Sequence, residues 1–139
     1  MDLIYTLEQT DEIAAQLVEK YAAHPVWAFQ APMGAGKTTL IAAIGRAMGI
    51  QQAMASPTFS IMNEYAGAGK LIYHMDWYRL ESAAEARQAG VEAAMEDADL
   101  SLVEWPERAP NLVPEHAVLF NIELIDPDHR RIYTNSKMA

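Results

Sequence analysis

No cysteine occurs in the 139-residue chain, which excludes disulfides, thiolate metal sites and thiol catalysis by inspection. No uninterrupted apolar run is long enough to span a bilayer. The opening "MDLIYTLEQTDE" is acidic and lacks the basic and apolar segments of a secretory leader, so a cytoplasmic protein is expected. Positive charge is also scarce: 10 Lys and Arg against 19 Asp and Glu give a formal net charge of −9. Such a surface repels phosphate backbones, so any nucleic acid is expected to be met indirectly, through a partner. Repeats and biased tracts are missing, and 51% of residues are hydrophobic. One domain over residues 1–139 is therefore expected, with a short flexible tail at about 135–139.

What is present reads as alternating strands and helices. "DLIYTL" has the pattern of a short strand, and "TDEIAAQLVEKYA" puts Ile13, Leu17 and Val18 on one helical face, with Thr10 or Asp11 as the N-cap. "VWAFQ" reads as a buried strand, and "KTTLIAAIGRAMG" as a helix that Gly49 would close. Two extended runs around "GAGK" suggest a hairpin, Gly90 divides an Ala- and Glu-rich helical stretch, and "LSLVEW" is a strand closed by Pro106. "AVLFNIELIDPDHRRIYTN" suggests two strands turning at "DPDH". The pattern predicts a three-layer α/β domain with a mixed, mainly parallel central sheet.

Between the strand "VWAFQ" and its following helix lies "APMGAGKTTL". A tight glycine-rich turn feeding a helix N-terminus surrounds phosphate oxygens with backbone N–H donors. Met33, Gly34, Ala35 and Gly36 would form that cradle. Lys37 would reach the β- and γ-phosphates, Thr38 would ligate Mg²⁺, and Thr39 would bond an α-phosphate oxygen. Ala31 stands where the usual pattern has its first glycine, and its methyl group is tolerable if φ stays negative. ATP and Mg²⁺ are the expected cofactors, in a P-loop NTPase fold.

Mg²⁺ needs carboxylates near the phosphates, and two acids end strands: Asp76 after "LIYHM" and Glu104 after "LSLV". Each taken alone also reads as a solvated charge beyond a strand. Thr58 in "SPTFS" suits a switch threonine that senses metal and γ-phosphate, or an ordinary turn hydroxyl. His74 reads better as a strand histidine hydrogen-bonded on one face than as a metal ligand. Asp126, Asp128 and His129 read as turn chemistry, and Arg79 and Arg108 as solvated or structural.

Four stretches, "GAGKTT", "SPTFSIMNEY", "YHMDWYRL" and "LVEWPER", fall in an order and spacing that resembles the TsaE (YjeE) family of small bacterial ATPases. The resemblance implies a P-loop ATPase working with TsaB and TsaD proteins to make threonylcarbamoyladenosine at position 37 of tRNA, the transfer chemistry lying in TsaD. It further implies that Lys37 and Thr38 hold phosphates and metal, that Thr58 is the switch-like threonine, that Asp76 is the Walker-B-like acid, that Glu104 serves Mg²⁺ or the attacking water, and that Trp105 lies near the nucleotide. Ala31, and Trp77 where leucine is common, depart from the family pattern. Two alternatives stay open: a nucleotide-dependent docking switch without useful turnover, and a small P-loop kinase whose lid would have to come from "ESAAEARQAG".

Overall fold

A hydrophobic strand followed by a loop and an amphipathic helix has to bury its apolar side against a neighbour, and here seven strands do so in one sheet. The computed structural model describes residues 1–55, 57 and 61–135. The strands are β1 (Asp2–Thr6), β2 (Val26–Gln30), β3 (Met62–Gly67), β4 (Lys70–Asp76), β5 (Leu100–Glu104), β6 (Val118–Asp126) and β7 (His129–Asn135). The helices are α1 (Thr10–Lys20), α2 (Lys37–Ala47), α3 (Ala83–Gln88) and α4 (Val91–Asp97). The spatial order is β1-β7-β6-β2-β5-β4-β3. The four central strands β6, β2, β5 and β4 run parallel, and antiparallel pairs close both flanks.

Two apolar layers follow from strand alternation. Trp27, Phe29, Phe120, Ile122 and Ile132 meet Ile13, Leu17, Leu40, Ile41 and Ile44 of α1 and α2 on one face. Val26, Ala28, Met75 and Val103 meet Val91, Met95 and Leu112 on the other. In the first layer the Phe29 and Phe120 rings stack with centroids 5.3 Å apart, and Trp27 packs edge-on to Phe120. Helices on both faces of a sheet with parallel strands at its centre make the three-layer architecture that the alternation of elements predicts.

Several boundaries carry their own chemistry. The first helix does not start on a Thr10 or Asp11 cap as expected. A 3₁₀ turn, Leu7–Gln9, precedes it, the Gln9 side chain accepts from the Thr6 N–H at 2.9 Å, and Thr10 Oγ1 donates to the Leu7 carbonyl at 2.6 Å. The capping signal of Thr6 with Gln9 three residues later thus shifts the entry one turn earlier. Gly49 closes α2 with φ +89°, the Ile50 N–H reaching the Gly45 carbonyl and the Gly49 N–H that of Arg46. Asp126 Oδ1 accepts from the N–H groups of Asp128 and His129, so "DPDH" is a side-chain-stabilised turn. Of the expected flexible tail only Asn135 is described, and it ends β7. Among the described residues no helix is long and apolar enough to cross a membrane.

Candidate functional site

Because β2, β5 and β4 are parallel neighbours, their C-terminal ends open at the same edge of the sheet. Gln30, the end of β2, leads straight into the loop 31–36, and α2 begins at Lys37. Asp76 and Glu104 are register partners at the ends of β4 and β5. Alternation puts Ile72, His74 and Asp76 on one face of β4, and Leu100, Leu102 and Glu104 on the same face of β5. The apolar members belong to the core under α1 and α2, so both carboxylates emerge beside the start of α2.

The loop reaches its shape through Gly34 (φ +77°) and Gly36 (φ +86°), conformations that cost an L-residue energy. Ala31 is not among the residues with positive φ, and its methyl group is buried in the α1/α2 core, so alanine is tolerated there. Lys37 is only 7% exposed. Its Nζ donates to the Ala31 carbonyl at 3.3 Å and lies 3.9 Å from the centroid of the Trp105 ring, a cation–π contact. Burial holds its ammonium below the ordinary lysine range, and the carboxylates of Glu104, Asp76 and Glu107 oppose that shift. The cation is therefore poorly solvated and in need of anions.

A cavity of about 460 Å³ opens over these groups. It brings together Met33, Gly34, Gly36, Lys37, Thr38, Thr39, Asp76, Glu104 and Trp105 from the sequence-derived set. Ala35 does not line it: its side chain is buried in the core and its N–H bonds the Pro32 carbonyl. Thr58, Ser56 and Ser60 lie outside the described residues. The chain leaving that segment is placed beside the site, since the Ile61 carbonyl accepts from the Asp76 N–H at 2.9 Å. Asp76 is oriented further by its Oδ1, which accepts from the Tyr78 N–H at 2.9 Å. Glu104 is 3% exposed and takes a 2.7 Å hydrogen bond from His74 Nε2, the one-faced strand histidine that the sequence suggests.

Sequence reasoning missed three lining residues: Leu7, Tyr78 and Arg130. Arg130 matters most. It is 7% exposed, and its Nε donates to the Ala35 carbonyl of the loop at 3.1 Å. Its Nη1 reaches the carbonyls of Asp126, Pro127 and His129 at 3.0, 3.2 and 3.3 Å. Among the described residues no carboxylate pairs with it, so a second buried cation faces this cavity. A signal existed: strand alternation puts Arg130 on the same face as the core residue Ile132, an odd place for a surface arginine. Arg79 and Arg108 do not line the cavity, and Arg108 lies over the Tyr78 ring.

The donor set fits a nucleotide with Mg²⁺. Thr38, Asp76 and Glu104 offer hard oxygen ligands around a helix N-terminus. Among the described residues no group of three or more His, Asp or Glu side chains could hold a metal. A cation here would thus rely on phosphate oxygens and water for its remaining ligands, as Mg²⁺ at phosphoryl sites does.

Comparison with known proteins identifies a family. The family model "Threonylcarbamoyl adenosine biosynthesis protein TsaE" matches residues 4–132. A tRNA threonylcarbamoyladenosine biosynthesis protein TsaE of Haemophilus influenzae is 39% identical over 72% of this chain and 63% of its own length, just under two thirds of that protein. Its counterpart in Synechocystis is 38% identical over 76% of this chain and 69% of that protein. In Rickettsia conorii the corresponding protein is 31% identical over 99% and 79%. The crystal structure of Bacillus subtilis YdiB superposes with a TM-score of 0.74 at 26% identity, covering 96% of this chain and 84% of that one.

Proposed function

The chain belongs to the TsaE family, and from that premise we propose that it is a P-loop ATPase subunit. It binds Mg-ATP and hydrolyses it slowly, in support of threonylcarbamoyl transfer to adenosine 37 of tRNA by a complex of TsaB and TsaD. The observation that carries this reading is the poorly solvated Lys37 ammonium held in one cavity with Asp76 and Glu104.

Backbone N–H groups of the loop and of the first turn of α2 would bind the phosphate chain. Lys37 would exchange the Trp105 ring for the β- and γ-phosphates, contacts worth more to a desolvated ammonium than the ring face. Thr38, Asp76 and Glu104 would hold Mg²⁺, which supplies charge neutralisation on the β- and γ-oxygens when bound. Glu104 would accept a hydrogen bond from the attacking water and orient it toward phosphorus. Leu7, in the turn after β1, and Arg130 of β7 approach on the opposite flank of β2 from Asp76 and Glu104, so they would flank the nucleoside end. Neither Arg79 nor Arg108 lines the cavity, and Arg130 is tied to four backbone carbonyls, so intrinsic hydrolysis is slow and the partner complex stimulates it. The kinase alternative is weakened because Arg87, the arginine its lid would use, pairs with Glu92 at 3.0 Å.

Phosphate release from ATP, measured for the chain alone and with TsaB and TsaD, tests the proposal. Turnover should rise with the partners, vanish in Lys37→Ala, and fall in Glu104→Ala while nucleotide stays bound. Bound nucleotide with no turnover under any condition would instead favour the docking switch.

A further inference from the structure

His74 makes a demand on the interior that the phosphate chemistry does not explain. It is fully buried in a strand flanked on both sides, and it faces the core through which Ile72 and Leu102 pack. An aliphatic side chain would be better solvated there, because a buried imidazole needs a partner at each ring nitrogen. Among the described residues only one is satisfied: Nε2 lies 2.7 Å from Glu104 Oε2, and Nδ1 has no partner. An unmet lone pair is less costly than an unmet N–H, so the ring proton belongs on Nε2, where it donates to the carboxylate. The geometry follows from the sheet. His74 is the register partner of Leu102, two residues before Glu104 on the neighbouring parallel strand, so the imidazole reaches diagonally to the strand end.

The consequence concerns Glu104. A glutamate at a strand end has three side-chain torsions to fix, and a carboxylate meant to orient water has to hold one of many rotamers. We propose that His74 is a positioning residue for this site, donating from Nε2 to Glu104 Oε2 and so fixing the plane of the carboxylate that faces the phosphate cavity. The inference rests on the ATPase reading above for its kinetic consequence, and on the buried His74–Glu104 hydrogen bond for its geometry. The polar group is thus retained in an apolar layer because of what it orients, in the manner of the outer partners of ligating side chains, whose loss costs about 10–100-fold in activity or affinity.

Three variants and two kinds of readout test it. In ¹⁵N-resolved NMR of the nucleotide-free protein, His74 should show the Nε2-protonated tautomer, and Glu104→Ala should move that resonance. His74→Leu should lower kcat for ATP by about 10–100-fold, with the affinity for metal-free ADP within about twofold, so that the loss falls on turnover and not on the nucleotide site as a whole. His74→Gln, which keeps an N–H donor, should recover part of the loss, as a merely space-filling role would not. An Nδ1-protonated ring, an unchanged resonance in Glu104→Ala, or equal turnover in folded His74→Leu and wild type each overturn the proposal. If the wild-type protein binds nucleotide but does not hydrolyse it, the ATPase reading falls separately. The gain in ADP affinity on adding Mg²⁺ then decides: it should shrink in His74→Leu, and an unchanged gain would overturn the positioning role.

Discussion

At the scale of single residues, the site holds two poorly solvated cations, Lys37 and Arg130, each 7% exposed. Burial disfavours the charged form of Lys37, so the folded state gives up stability wherever lysine is ionised and regains it as pH rises through the lowered folded-state value. Lys37→Met should therefore raise the unfolding temperature of the nucleotide-free protein at neutral pH and, on the proposed function, abolish the upward shift expected of the wild type with Mg-ATP; differential scanning fluorimetry with and without nucleotide reads both effects. Arg130→Met removes the bond to the Ala35 carbonyl and leaves three further carbonyls without their donor. Of these the Ala35 contact is the buried one, and an unmet buried acceptor costs about 1–3 kcal/mol, so a lower denaturant midpoint and at least tenfold weaker ADP binding by calorimetry are expected. The two cations differ in how they were legible. Lys37, Asp76 and Glu104 stand in a motif or at strand ends and could be read from local pattern. Arg130 meets Ala35 across 95 residues of chain, a proximity created by the register of β6 and β7. His74 showed its one-faced hydrogen bond in the sequence, but which acid it would meet depended on pairing that no local pattern specifies.

Among the elements, the β3–β4 hairpin turns on Ala68 and Gly69, both with positive φ as a two-residue turn of this kind requires. Alanine at φ 51° is the strained member, so Ala68→Gly should stabilise the protein by up to about 1 kcal/mol, seen as a higher urea midpoint at constant slope. The turn also sits against the end of α2, where a Cβ at Gly49 would come 2.8 Å from that of Ala68. At the opposite edge of the sheet, β1 is held to β7 by a side-chain pair as well: Arg131 meets Asp2 at 2.6 Å, and that bond holds the Asp2 carboxyl below its usual range. A depressed carboxylate contributes stability above its unfolded-state value and loses it as pH falls through the folded one. Asp2→Asn should accordingly narrow the difference in melting temperature between neutral pH and about pH 3. The elements themselves were readable because apolar periodicity and glycine placement report local backbone directly. The entry to α1 was not, since Thr6 and Gln9 compete with Thr10 for the capping role and the earlier pair makes the bond.

Over the whole molecule, one sheet divides two apolar layers, and the loop 31–36 is anchored in the α1/α2 layer through Ala31 and Ala35. Phe120 touches Phe29, Trp27 and Tyr21 at the centre of the α1/α2 layer. Phe120→Ala should destabilise the fold by about 3–5 kcal/mol in chemical denaturation. A net charge of −9 gives the chain a long-range field, so if its partners present basic surfaces, association measured in stopped flow should slow as salt is added.

Strand β1 pairs with β7, Asp2 lying opposite Tyr133, and the same strand supplies the arginine that donates to the Ala35 carbonyl of the loop 31–36. During synthesis on the ribosome the first strand therefore waits, its edge unpaired, for the last one. The loop between them is complete long before that contact exists. The first strand's pairing and the loop's long-range contact therefore form together, in one late folding event that waits for β7.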